Sequence, residues 1–136
     1  MPSGSASSNP VRVLLVDDNQ AMLDRAAALL TPSCAIVDAV KDGPAALEAA
    51  KRLHPEVIVL DISMPGMTGL EVAARLRASG SDAAVVFLTV HDDEEFVAAA
   101  SAAGGLGSVI KRKLGADLVY AVQEARAGRA FVSESP

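Results

Sequence analysis

Five side chains stand where their types and spacing could do chemistry: Asp17 and Asp18 in "LLVDDNQ", Asp61 in "VIVLDISMPGMTGLE", Thr89 in "VVFLT" and Lys111 in "SVIKRKL". Each closes or directly follows a short apolar run. Three carboxylates gathered at one place repel one another and need a cation. Oxygen donors with no His or Cys among them select Mg²⁺, with Mn²⁺ as a possible substitute, over zinc. Mg²⁺ keeps several waters and is usually held by one or two carboxylates plus a phosphate oxygen. The Lys111 ammonium is a point charge suited to a phosphoryl oxygen, and the Thr89 hydroxyl is a second donor. Neither GxxxxGK[ST] nor a GxGxxG after the first apolar run is present, so the phosphate is not expected to belong to a bound nucleotide. A carboxylate can itself attack phosphorus and become an aspartyl-phosphate. Asp61, the single acid closing its run, is the candidate nucleophile, and the pair Asp17 and Asp18 is the candidate metal holder.

These residues meet only if the elements bring them together. Strand candidates at 11–16, 34–40, 56–61, 83–89 and 106–111 alternate with helix candidates at 19–30, 43–53, 69–79, 93–103 and 116–128. The first, third and fourth strand candidates are continuously apolar, as expected when both faces are covered. The pattern predicts an α/β fold with an open, doubly wound, five-stranded parallel sheet. Ligands of such folds bind beyond the carboxyl ends of the strands, which is where all five residues fall. Taken singly, each has a plainer role: Asp18 or Asn19 can cap a helix, and an acid, a threonine or a lysine often ends a strand. Their joint occurrence at four strand ends is what the phosphoryl reading explains and the separate readings do not.

Composition narrows the alternatives. A chain of 136 residues, 51% hydrophobic, is enough for one domain with a real core. A net charge of −5 argues against this stretch gripping nucleic acid, which needs a basic face. The lone Cys34 excludes an internal disulfide and a cysteine-built metal site, and fits a reducing cytoplasm. Apolar runs are strand-sized, so no membrane span is expected. Residues 1–10, "MPSGSASSNP", read as a disordered arm, 11–129 as the domain, and 130–136 as a tail or the start of a linker.

With these motifs in hand, the chain resembles the receiver domain of two-component response regulators. "LLVDDNQ" is similar to that family's acidic pair, and Asp61 followed by Met64, Pro65 and Gly69 to its phosphoacceptor motif. The resemblance implies a flavodoxin-like (βα)5 fold with strand order 2-1-3-4-5. It implies that Asp61 accepts a phosphoryl group from a histidine kinase. Asp18, Asp61 and the Ser63 backbone carbonyl would ligate Mg²⁺, Asp17 would act through a metal-bound water, and Lys111 and Thr89 would bind phosphoryl oxygens. A domain of this kind is regulatory and catalyses only its own phosphorylation and dephosphorylation. "LTVHDDEEFV" and "GRAFVSESP" resemble the subfamily with a C-terminal helix-turn-helix DNA-binding domain. The expected output is therefore transcription, through an effector domain outside this sequence, with an isolated receiver and a truncated chain both open. A homodimer is a further expected partner.

Ser63 and His91, two residues past Asp61 and Thr89, are expected at the site rim, where they would tune hydrolysis of the acyl phosphate. Two positions depart from the family pattern. Ser108 stands where many receivers carry Tyr or Phe, and Arg112 where many carry proline. Ser108 keeps alive an alternative function, a receiver-like interaction module that switches without phosphorylation.

Overall fold

Residue parity along the strands decides which side of the sheet each side chain covers. The structure, a computed structural model, describes residues 10–90, 98, 99, 102 and 104–133. In chain order the elements are β1 (Val11–Val16), α1 (Gln20–Leu30), β2 (Cys34–Val40), α2 (Gly43–Leu53), β3 (Val57–Asp61), α3 (Gly69–Ala78), β4 (Ala84–Thr89) and β5 (Gly107–Ile110). A 3-10 turn (Lys111–Lys113), α4 (Leu114–Arg126) and β6 (Phe131–Val132) complete them. Val11, Val13, Leu15, Val57, Val59, Val86, Leu88 and Val109 pack on one face with α1 and α4. Leu14, Val16, Ile58, Leu60, Val85 and Phe87 pack on the other with α2 and α3. Successive strand residues point to opposite faces, so a strand buried on both must be apolar throughout. In β3 and β4, buried along their length, the functional polar groups thereby fall at the strand ends, Asp61 and Thr89.

All strand pairs are parallel, in the order β2-β1-β3-β4-β5-β6. The order 2-1-3-4-5 agrees with expectation, but among the described residues the sheet has six strands rather than five. Phe131 and Val132, placed by sequence in a tail, pair with Gly107 and Ser108. Gly128, at φ 82°, reverses the chain after α4 and returns it to the open edge of β5. Two residues are too few to show a strand period, which is why the sequence does not signal this element.

The fifth strand also ends earlier than the 106–111 reading. It stops at Ile110, and Lys111 opens the 3-10 turn that leads into α4. Of the helix expected at 93–103, residues 98, 99 and 102 are helical and the others lie outside the described residues. Four α-helices lie wholly within the described residues.

Local chemistry fixes the turns on the carboxyl side of the sheet. Asn19 caps α1 by accepting from Met22 N–H at 3.1 Å, and Asp42 caps α2 by accepting from Ala45 N–H at 2.8 Å. Pro44 occupies the first turn of α2, where its missing N–H costs nothing. Thr68 and Glu71 form a reciprocal capping box at α3. Gly69 is required by close approach: a Cβ there would lie 2.1 Å from the Asp61 carbonyl oxygen. The start of α3 thus rests directly on the backbone of Asp61.

Candidate functional site

Asp61 ends the central strand β3 and is 2% exposed, as is Asp17, which follows β1. Asp18 is exposed at the same rim. One carboxylate oxygen from each of the three can be chosen so that all lie within 4.8 Å of one another. Lys111 reaches back from the 3-10 turn, placing Nζ 3.1 Å from Asp61 Oδ1 and 3.2 Å from Asp17 Oδ2. The sequence reading put Lys111 inside the strand, whereas it opens the turn, and the turn sets the angle from which the ammonium enters.

The remaining valences are unequal. Asp17 Oδ1 accepts from Asn19 N–H at 2.9 Å, and Asp61 Oδ1 accepts from Ser63 N–H at 3.2 Å. Among the described residues, Asp61 Oδ2 is buried without a hydrogen-bond partner, and Asp17 Oδ2 meets Lys111 only as an ion pair. Burial is the main reason the Asp61 carboxyl is pushed up to about 6, and the charge of Asp17 adds to it; Lys111 and the Ser63 amide pull the other way. Burial pulls the Lys111 ammonium down, but Asp61 and Asp17 outweigh it and hold its pKa above the ordinary lysine value. One ammonium therefore does not compensate three carboxylates.

The donor set fits a divalent cation. It consists of hard carboxylate oxygens, two of them buried and lacking a hydrogen bond, in a cluster short of positive charge. Asp17, Asp18 and Asp61 are the residues that would hold it, and the cation would supply charge neutralisation toward an incoming anion.

Thr89 closes β4 and is 4% exposed; it pairs in register with Ile110, the residue before Lys111. Ser63 is exposed at the rim. Ser108 is buried within β5, opposite Phe87 of β4. His91 lies outside the described residues. Sequence reasoning missed Asp117 and Ser133, which meet beside the end of β5: Ser133 Oγ donates to Asp117 Oδ2 at 2.6 Å. No local signal marked either residue, since β6, which carries Ser133 to the β5 edge, is only two residues long.

A family model for the response regulator receiver domain matches residues 13–123. The nitrate/nitrite response regulator protein NarL of Escherichia coli K12 is 32% identical over 132 residues, 96% of this chain and 61% of that protein. The transcriptional regulatory protein DegU of Brevibacillus brevis is 29% identical over 128 residues, 93% of this chain and 54% of that protein. The chain thus spans under two thirds of the length of these curated relatives. Among solved structures, the signal receiver domain of the response regulator NarL from Mycobacterium tuberculosis matches with a TM-score of 0.85 at 33% identity, covering 89% of this chain and 99% of that one. A LuxR-family two-component response regulator from Aurantimonas gives a TM-score of 0.85 at 29% identity, covering 90% of this chain and 89% of that one. The doubly wound sheet, its acidic rim and these matches together show that the chain belongs to the response regulator receiver family.

Proposed function

We propose that this domain is a phosphorylation-controlled signalling switch with Asp61 as phosphoacceptor. The observation that carries the reading is the buried, unpartnered Asp61 Oδ2 at the end of the central strand, beside the Lys111 ammonium and the Asp17–Asp18 pair. The phosphoryl donor is a histidine kinase. Asp61 attacks phosphorus, the O–P bond forms as the N–P bond of the phosphohistidine breaks, and the imidazole leaves with the electron pair. Lys111 neutralises phosphoryl oxygens, and the Thr89 hydroxyl donates to one of them. Asp17, Asp18, Asp61 and the Ser63 carbonyl would hold Mg²⁺ (Mn²⁺ would substitute), which would lower the charge the incoming anion meets. Catalysis of this kind is positioning and electrostatics rather than proton transfer. Ser63 at the rim, and His91 two residues past Thr89 in the sequence, tune the lifetime of the acyl phosphate.

The modified domain shifts between two conformations and presents a different surface. Its output is transcription in the cytoplasm through a DNA-binding effector domain, with a homodimer as one route. Incubation with a small phosphodonor and Mg²⁺ tests this by intact-mass spectrometry. Wild type gains one phosphoryl group and Asp61→Asn gains none; the absence of an Mg²⁺-dependent adduct on wild type overturns it.

Ser108 favours a second reading, a module whose interactions do not depend on phosphorylation. Its small side chain is buried opposite Phe87, where many receivers carry the aromatic that moves on activation. Magnetic resonance shifts on beryllofluoride addition that stop at the site and leave β5 unmoved would support it over the switch.

A further inference from the structure

The end of β5 needs a partner for its outer edge. Ile110 is 3% exposed, so its backbone N–H has no access to water and must be paired within the protein. β6 is only two residues long and ends opposite Ser108. The next residue, Ser133, completes the edge in two ways. Its backbone N–H donates to the Ser108 carbonyl at 2.9 Å, and its Oγ accepts from the Ile110 N–H at 3.1 Å. The hydroxyl proton is used as well, donated to Asp117 in the first turn of α4. Ser133 is itself 8% exposed. A single side chain therefore ties together the segment after α4, the last residue of β5 and the first turn of α4. Both elements it joins flank the 3-10 turn that carries Lys111.

We infer that Ser133 is a positioning residue for the phosphoryl site: by clamping Ile110 and Asp117 it fixes the turn from which Lys111 reaches Asp61. The inference rests on the proposed function of that site. Coupling of this kind is reciprocal. If the clamp favours the Lys111 placement that receives a phosphoryl group, then occupying the site strengthens the docking of residues 131–133 on β5. The state of Asp61 is thereby felt where the chain leaves the domain.

The full 136-residue chain tests this with Ser133→Ala, and with Ser133→Thr, which restores the hydroxyl. Beryllofluoride affinity at saturating Mg²⁺ and Mg²⁺ affinity alone are both measured by magnetic resonance titration. Ser133→Ala is expected to weaken beryllofluoride binding by about three- to tenfold. Mg²⁺ affinity stays unchanged, because the carboxylates come from β1 and β3. Hydrogen exchange at Ile110 rises, and Ser133→Thr recovers both readouts. Asp117→Ala, which removes only the second anchor, is expected to shift beryllofluoride affinity in the same direction and serves if Ser133→Ala does not fold. Unchanged beryllofluoride affinity in a folded variant, or an equal loss of Mg²⁺ and beryllofluoride binding, overturns the inference. Failure of wild type to bind beryllofluoride overturns the phosphoryl-site reading, and this inference with it.

Discussion

Replacing Asp61 by Asn should remove the phosphoacceptor and yet make the metal-free fold more stable. Asp61 is 2% exposed and its carboxyl is pushed up from 3.8 to about 6, chiefly by burial and secondarily by Asp17. At about 1.4 kcal/mol per unit, ionised Asp61 costs the folded state about 3 kcal/mol. The substituted amide oxygen would still accept from the Ser63 N–H, and Lys111 would keep Asp17, so most of that cost is relieved without stranding either group. Some attraction to Lys111 is lost, which leaves a net gain of about 1–3 kcal/mol. The sign follows from linkage. A carboxyl raised on folding binds its proton more readily in the folded state, so its contribution is most favourable below pH 3.8 and is lost as pH rises through about 6. The advantage of Asp61→Asn is therefore full at about pH 7.5 and shrinks toward zero near pH 4. Urea denaturation of both proteins in a chelator, followed by circular dichroism across that range, measures it. An Asp61→Asn protein less stable than wild type at the upper end of the range, or a difference that ignores pH, would refute the reasoning.

Three further outcomes are expected. Adding Mg²⁺ at about a hundred times its dissociation constant should stabilise wild type by about 2.7 kcal/mol, with a much smaller gain in Asp61→Asn, as read from thermal melts with and without chelator. Lys111→Met should leave Asp17 and Asp61 without their shared ammonium and lower beryllofluoride affinity by at least about tenfold in the same titration, since a buried charge-assisted contact is worth about 1.5–3 kcal/mol. Gly69→Ala should destabilise by at least about 2 kcal/mol in urea, because the new Cβ meets the rigid Asp61 carbonyl, which cannot move without displacing the phosphoacceptor.

Much of the site was legible because its residues lie next to strong signals. Asp17, Asp61 and Thr89 each terminate or follow an apolar run, and strand ends are read from the run itself. Asn19, one of the two candidate caps for the first helix, was legible for a related reason, since capping depends on residues within three positions. β6 was not legible. Its stability comes from Gly107 and Ser108, more than twenty positions away, rather than from its own sequence period. The same holds for Ser133, a polar residue in a short tail whose hydroxyl becomes structural only when the β5 edge is beside it.

The amino-acid order alone determined that this chain alternates apolar strands with amphipathic helices and puts acids, a hydroxyl and an ammonium just past the strand ends. A strand covered on both faces favours apolar residues along its length and charges at its ends. Only the tertiary structure decided how those charges meet. It set Lys111 within 3.2 Å of both Asp17 and Asp61, left one Asp61 oxygen buried without a hydrogen bond, and closed the β5 edge with Ser133. These are long-range distances and burial states. They depend on how the strands stack side by side, which no local period in the sequence specifies.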